Sequence, residues 1–204
     1  FRLNGDDQPV VNVRWDDAAR YLNWLSKREG LPAAYREENG KMQLIRPVTT
    51  GYRLPTEAEW AYTARFAGRD GPARYPWSGE QFPPVRIQGN YADAAADPLL
   101  PLILEDYQDG HAVSAPVGGF APNPIGLHDM DGNVAEWIQD YYSVYPRGAA
   151  REAVDPLGPE EGRHHVVRGS SWRDSGISEL RMSYRDYSER PRDDLGFRIA
   201  RYRK

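Results

Sequence analysis

The chain has 204 residues, enough for one large domain and too few for two of ordinary size. Its 26 basic and 30 acidic residues give a net charge of −4, which disfavours duplex nucleic acid as a partner, because phosphate-binding surfaces need a basic surplus. Cysteine is absent, which excludes disulfides, thiolate nucleophiles and zinc–thiolate sites but leaves cytosol and bacterial periplasm equally open. The longest nearly apolar run, residues 98–104, is far shorter than the roughly 20 residues of a membrane-spanning helix.

The composition predicts a folded chain with many loops. Five Phe, six Trp and thirteen Tyr supply the large apolar side chains that disordered chains lack. Nineteen glycines and seventeen prolines interrupt regular structure often. We therefore expect a single domain over residues 1–204, in which buried rings hold long connections in place.

The first predicted helix covers residues 15–27. Trp15, Ala18, Leu22 and Leu25 recur at helical spacing and form its apolar stripe. Acidic residues directly after Trp15 suit the positive N-terminal end of the helix dipole.

The second predicted helix covers residues 56–67 and begins with a capping box. The Thr56 hydroxyl and the Glu59 carboxylate can each accept a backbone N–H that the first helical turn leaves unpaired. Trp60, Ala64 and Ala67 then share one face at helical spacing.

After residue 67 the sequence lacks the helical spacing of apolar residues seen in the first part of the chain. Five prolines between residues 98 and 124 predict irregular structure, which we expect to dominate residues 68–165. Short strands are predicted at 166–168 and 196–200. Long loops in a compact domain usually carry function or are ordered by a bound ion.

The common catalytic patterns are missing from the sequence. It contains no Gly-x-Ser-x-Gly, no His-Glu-x-x-His and no phosphate-binding glycine loop before a helix. His164 and His165 are adjacent, and adjacent side chains of a strand point to opposite faces, so we do not expect them to share a metal.

Two carboxylates seven residues apart, Asp129 and Glu136, flank a Gly-Asn turn. A tight loop there would aim both carboxylates and some intervening carbonyls at one hard cation. Alternatively the segment is an ordinary turn, and Glu136 pairs with one of the many arginines. The residues by themselves leave both interpretations open.

A set of short motifs in a fixed order resembles the formylglycine-generating enzyme (sulfatase-modifying factor) family. The motifs are 51–60 (GYRLPTEAEW), 89–93 (GNYAD), 115–118 (APVG), 123–127 (NPIGL), 132–137 (GNVAEW), 167–172 (VRGSSW) and 195–198 (LGFR). The resemblance extends from about residue 9 to the C-terminus. Members often carry an earlier strand segment that is short or missing here, which predicts a domain without its N-terminal strand or a fragment of a longer protein.

The resemblance implies an α+β fold of the C-type-lectin-like kind, with little regular secondary structure and long loops. It also implies up to two calcium ions, because members commonly bind two. At the first site Asn90 and Asp109 match side-chain ligands, while Tyr91 and His111 match positions that supply carbonyls. At the second site Asp129 and Glu136 match side-chain ligands of the family, while Gly132 and Val134 match positions that supply carbonyls.

The sequence departs from the family where the oxidising members carry two cysteines that hold copper. The matching positions fall near Asp174 and near Ser178 or Glu179. Oxygen ligands are poor substitutes for the thiolates that copper(I) prefers, so we predict neither bound copper nor formylglycine formation. The same stretch is predicted to form a ligand groove. Its five predicted residues are Trp172, Arg173, Asp174, Ser178 and Glu179.

Five arginines and six carboxylates alternate between residues 173 and 194. They are Arg173, Arg181, Arg185, Arg190, Arg192, Asp174, Glu179, Asp186, Glu189, Asp193 and Asp194. This pattern favours either a recognition surface or an internal lattice of ion pairs that supports the loops.

The sequence thus predicts a bacterial, calcium-binding module that binds a protein or peptide ligand and forms part of a larger polypeptide. One alternative is an altered-site oxidoreductase or maturation enzyme of the same family, similar to pyoverdine-maturation proteins. A further alternative is a ligand-binding protein of the retroelement-diversified type. The variable stretches of that type are rich in asparagine, which residues 173–194 lack.

Overall fold

The computed structural model describes residues 2–77, 79, 81–145 and 153–203. Two helices and six short strands are separated by long irregular segments, as expected for an α+β fold. In chain order they are α1 (Trp15–Arg28), β1 (Tyr35–Glu38), β2 (Lys41–Leu44), α2 (Glu57–Arg65), β3 (Ala135–Tyr141), β4 (His165–Arg168), β5 (Asp186–Ser188) and β6 (Leu195–Gly196), with one 3₁₀ turn at Ala94–Ala96.

Helix α1 confirms the first predicted helix and extends one residue beyond it. Trp15, Ala18 and Leu22 of the apolar stripe are buried, whereas Leu25 is only partly buried. The indole Nε1 of Trp15 donates to the carbonyl of Ile138 in β3 at 2.8 Å. This contact fixes the helix against the centre of the main sheet.

Helix α2 confirms the predicted capping box. The Thr56 hydroxyl accepts from the Glu59 N–H at 3.2 Å, and the Glu59 carboxylate accepts from the Thr56 N–H at 2.8 Å. The buried Arg53 guanidinium also donates to both Glu59 oxygens, at 2.7 and 2.6 Å. The helix ends at Arg65, two residues before the predicted boundary, and Ala67 is buried in the turn that follows.

The main sheet has the order β5-β4-β3-β6, with β3 antiparallel to β4 and parallel to β6. The strand predicted at 166–168 is confirmed as part of β4. The strand predicted at 196–200 is largely wrong, since β6 shares only Gly196 with it and Ala200 forms an isolated bridge with Arg53. Strand β3 lies inside the stretch predicted to be irregular. Six of its seven residues are buried. A strand that is buried on both faces lacks the alternation of apolar and polar residues by which a strand exposed on one face is recognised.

A hairpin of β1 and β2 was not predicted. Asn39 and Gly40 form its two-residue turn with φ values of 53° and 76°, as a type I′ turn requires. The Asn-Gly pair was the available sequence signal.

Irregular backbone fills most of the region between α2 and β3, as predicted. Buried rings hold it together, and Tyr75 stacks on Trp77 with 4.7 Å between ring centroids. Tyr91 and Tyr107 belong to the same cluster. Within the described ranges, no helix has both the length and the apolar character needed to cross a membrane.

Candidate functional site

A polar cleft of about 550 Å³ opens between the end of β4, the start of β5 and the segment that leads into β6. It is lined by two arginines, four aspartates, a tyrosine and a glycine. They are Gly169, Arg173, Asp174, Tyr184, Asp186, Arg192, Asp193 and Asp194. Carboxylates therefore outnumber guanidinium groups two to one.

Among the positions that match the family's two cysteines, Asp174 is the one that lines the cleft. Its Oδ2 accepts from the backbone N–H of Ser171 at 2.8 Å, and it lies 2.9 Å from the Ser171 hydroxyl. The same hydroxyl lies 2.9 Å from Oδ2 of Asp194, and its single proton can be donated to only one of the two carboxylates at a time. Desolvation raises the pKa of Asp174, and the neighbouring Asp194 charge raises it further.

The arginines of this region form ion pairs. Arg173 Nη1 donates to both oxygens of Asp193, at 2.7 and 2.9 Å. Arg192 donates to Asp186 at 2.7 Å and to Asp194 at 3.0 Å. Arg173 and Arg192 thus form ion pairs within the predicted stretch, whereas Arg185 pairs with Glu57 of α2. Whether the stretch is also a recognition surface stays a prediction.

The residues of the predicted ligand groove lie in different places. Arg173 and Asp174 line the cleft. Trp172 is 3% exposed and packs in an apolar cluster with Val11 and Ala92. Ser178 is exposed, and Glu179 is partly buried; neither lines the cleft.

The first predicted calcium set is brought together by two loops. The Asp109 carboxylate accepts from the backbone N–H of Tyr91 at 3.0 Å and from that of His111 at 2.8 Å. Asn90 is fully buried, and its Nδ2 donates to the carbonyl of Val113 at 2.8 Å. Its Oδ1 has no hydrogen-bond partner in the described part of the chain.

Two carboxylates, those of Asp93 and Asp109, lie close together at this set of residues. Desolvation raises the pKa of Asp109 to about 7, and the nearby Asp93 charge adds to the effect. Asp93 is buried, and its Oδ2 accepts from the backbone N–H of Asp109 at 2.5 Å. The set thus contains a buried amide oxygen without a partner among the described residues, a partly buried carboxylate and a buried one, which are oxygen ligands of the kind that calcium takes. Asp93 stands in the 89–93 motif, but sequence reasoning assigned it no role.

The second predicted set includes a carboxylate that is already paired. Both oxygens of Glu136 accept from Arg198, at 2.5 and 2.7 Å, and Oε2 also accepts from the Trp60 indole at 2.8 Å. Arg198 Nη2 further donates to the carbonyl of Asp129 at 2.9 Å. The alternative in which Glu136 pairs with an arginine is therefore confirmed.

This pairing bears directly on the second calcium site. A cation between Asp129 and Glu136 would lie against the Arg198 guanidinium, so these residues as arranged do not fit a second ion. Gly132 and Val134 lie in the loop before β3, as expected for carbonyl donors. Oδ1 of Asp129 is buried and, among the described residues, lacks a hydrogen-bond partner.

Sequence reasoning also missed Asp131, which is 5% exposed. Its Oδ1 accepts from the backbone N–H of Ser170 at 3.0 Å, and desolvation raises its pKa to about 7. Across the part of the chain that the structure describes, no three His, Asp or Glu side chains converge as a metal site. A calcium site built partly from carbonyl and amide oxygens needs fewer carboxylates than that.

Comparison with known proteins defines the class. The sulfatase-modifying factor enzyme 1-like domain matches residues 3–203, and the chain belongs to this family. The formylglycine-generating enzyme of Streptomyces coelicolor is 34% identical over 200 residues, which cover 95% of this chain and 52% of that enzyme. Serine/threonine-protein kinase pkn1 of Chlamydia pneumoniae is 32% identical over 197 residues, which cover 95% of this chain and 24% of the kinase.

Solved structures confirm the fold. Treponema denticola variable protein 1 superposes with a TM-score of 0.74 at 26% identity, covering 95% of this chain and 70% of that one. PvdO from Pseudomonas aeruginosa superposes with a TM-score of 0.67 at 30% identity, covering 97% of this chain and 63% of PvdO. The chain spans about half the length of the formylglycine-generating enzymes it matches, and in these relatives the matching region is part of a larger protein.

Proposed function

We propose that the chain is a non-catalytic binding module of the sulfatase-modifying factor family, whose cleft holds an extended polar ligand such as a peptide. The observation that carries this proposal is the position of Asp174. It stands where the oxidising members are expected to carry a cysteine, yet it lines an open cleft and is hydrogen bonded to Ser171. A cleft without thiolates keeps the shape needed for binding and lacks the ligands needed for copper.

The charges of the cleft indicate the ligand's chemistry. Arg173 and Arg192 are each engaged by aspartates, and the cleft still holds more carboxylates than guanidinium groups. A ligand with a basic side chain complements this excess, and Asp193, whose side chain is 40% exposed, is the most accessible acceptor we identify. We therefore propose a peptide that carries arginine or lysine.

We also propose that one calcium ion binds at Asn90 and Asp109, with the Tyr91 and His111 carbonyls as further ligands. The unpartnered Oδ1 of Asn90 and the raised pKa of Asp109 support this assignment. The ion's role is structural, since it ties the loop at 90–93 to the loop at 109–113.

An altered-site enzyme of the same family is the second candidate. The observation that favours it is again Asp174, because a partly buried carboxyl with a raised pKa that faces a cleft is typical of acid–base groups. A non-catalytic module is expected to leave a bound peptide chemically unchanged, whereas an enzyme is expected to convert it.

One experiment separates the two candidates. The purified chain is incubated with a peptide of the sulfatase type, Cys-x-Pro-x-Arg, with copper, oxygen and a thiol reductant, and the peptide mass is followed. Binding of the same peptide is measured by fluorescence anisotropy, with a matched peptide in which alanine replaces arginine. The module predicts binding that depends on the arginine, with no change in peptide mass above a control without protein.

Matched variants of the protein complete the test. Asp193→Asn removes one accessible charge from the cleft and is expected to weaken binding, whereas Glu38→Gln makes the same change on the exposed β1 strand and is expected to leave it unchanged. Turnover of the peptide would overturn the module in favour of the enzyme. Equal binding of both peptides would contradict the proposed ligand chemistry.

A further inference from the structure

The outer face of helix α1 carries an aromatic surface that the proposed cleft does not use. Tyr21 and Trp24 are 47% and 49% exposed, although they lie on a helix whose opposite face forms part of the core. Their ring centroids are 5.5 Å apart, and Phe197 approaches Tyr21 at 5.9 Å. Exposed, adjacent Trp and Tyr side chains are the residue types most enriched at the centres of protein interfaces.

Charged residues flank this pair in a symmetric pattern. Asp17 precedes Tyr21 by four residues, and Arg28 follows Trp24 by four, so the four residues form one stripe with spacings of four, three and four. This is the spacing of a coiled-coil seam. The midpoint of the two charged residues and the midpoint of the two aromatic residues fall at the same place in the helix.

We propose that this stripe, Asp17–Tyr21–Trp24–Arg28, is an isologous interface between two copies of the chain, with their α1 helices antiparallel. A two-fold axis through the midpoint places Asp17 of each copy opposite Arg28 of the other and each Tyr21 opposite a Trp24. The stripe is thus complementary to itself in charge and in apolar character. A parallel pairing would place like charges opposite each other.

The contacts within the described part of one chain leave Arg28 without an ion pair, whereas Asp17 accepts two long hydrogen bonds, one of them from the backbone N–H of Arg14 to its Oδ2 at 3.3 Å. The Arg28 guanidinium stacks over the Trp24 ring at 4.7 Å and has no carboxylate partner among the residues that the structure describes. Asp17 pairs with Arg20 at 3.3 Å, but its side chain is 54% exposed. Arg20, beside the stripe, also pairs with Glu37 at 2.8 Å, which offsets its charge next to a second copy.

The test is sedimentation velocity of the chain from micromolar to millimolar concentration. We expect the average mass to rise with concentration toward that of two chains. Trp24→Ala removes the aromatic from both copies, so self-association is expected to weaken roughly 1,000-fold, the effect of losing two hot-spot side chains that each contribute about 2 kcal/mol. Tyr62→Ala removes an aromatic of α2 that is 61% exposed and serves as the control, which is expected to leave association unchanged.

A charge-swap experiment tests the antiparallel geometry. Asp17→Arg alone and Arg28→Asp alone each place like charges opposite each other twice, so both variants are expected to be monomeric. An equimolar mixture of the two restores both ion pairs, and we expect a heterodimer. Its recovery also shows that both variants are folded.

Three results would overturn this inference. They are a wild-type chain that stays monomeric at the highest concentration, association that is unaffected by Trp24→Ala, and a mixture that fails to recover. None of these outcomes bears on ligand binding in the cleft, so the two proposals stand or fall separately.

Discussion

The guanidinium of Arg198 donates two hydrogen bonds to the carboxylate of Glu136, from Nη2 to Oε1 at 2.5 Å and from Nε to Oε2 at 2.7 Å. The two residues are 62 positions apart and lie where β3 and the segment after β6 run side by side. Glu136 is only 4% exposed, and the Trp60 indole binds the same carboxylate. One ion pair therefore joins the central strand, the C-terminal segment and helix α2.

Breaking this buried pair is expected to destabilise the protein strongly. Arg198→Met leaves Glu136 as a buried carboxylate without its charge partner, which typically costs about 3–5 kcal/mol. Urea denaturation measures the loss. Arg20→Met, which removes an exposed pair, is the control and is expected to change the free energy of unfolding by less than about 1 kcal/mol. A similar small loss in both variants would contradict a structural role for the Arg198 pair.

Calcium is expected to stabilise the fold through Asp109. At a calcium concentration about 100 times the dissociation constant, the gain is roughly 2.7 kcal/mol. A chelator should therefore lower the melting temperature of protein that metal analysis shows to be loaded, and Asp109→Asn should abolish that response.

Glu136→Gln provides the internal comparison for calcium. Because Glu136 is already paired with Arg198, this variant is expected to melt at a lower temperature and yet to keep its response to chelator. Loss of the response in Glu136→Gln, with retention in Asp109→Asn, would move the ion to the second predicted set.

His165 is expected to stay neutral in the folded protein well below neutral pH. Its ring is stacked between Trp15 and Tyr141, with centroid distances of 3.8 and 4.2 Å, and desolvation lowers its pKa to about 3. The unfolded chain binds this proton below about pH 6.5. Between about pH 6.5 and 3 the unfolded state therefore binds more protons at this residue, and stability falls as the pH falls, by up to about 1.4 kcal/mol per unit.

The contribution of His165 is isolated by a variant. His165→Phe keeps a stacking ring and removes the titration, so its free energy of unfolding should decline less steeply than that of the wild type from pH 6.5 to 4.5. Other titrating groups act equally on both proteins. Parallel pH profiles would show that His165 does not carry this dependence.

The buried side chain of Trp172 is expected to stabilise the fold, so its loss should lower the free energy of unfolding and not only the affinity for a ligand. It is buried in an apolar cluster beneath the loops that carry the cleft and the first calcium set. Trp172→Ala should cost about 3–5 kcal/mol in chemical denaturation. A fully stable Trp172→Ala protein with weakened peptide binding would instead place this side chain in the ligand site.

Local patterns in the sequence were sufficient for the elements that depend on neighbours. The capping box of Thr56 and Glu59 defined the start of α2, and helical spacing identified the buried faces of both helices. The β1–β2 hairpin also had a local signal in Asn39-Gly40, which was overlooked. Strand β3 had none, because a strand buried on both faces loses the alternation by which strands are recognised.

The sequence by itself determined the family, the absence of thiolate chemistry, and the candidate ligands Asn90 and Asp109, because these depend on residue identity and motif order. Only the tertiary structure decided which charges meet: Arg198 with Glu136, Arg173 with Asp193, and Asp93 beside Asp109. Arginines and carboxylates are plentiful along this chain, and any of them satisfies the same pairing chemistry. The choice among partners is made by long irregular loops, whose paths are set by buried rings and not by local propensity.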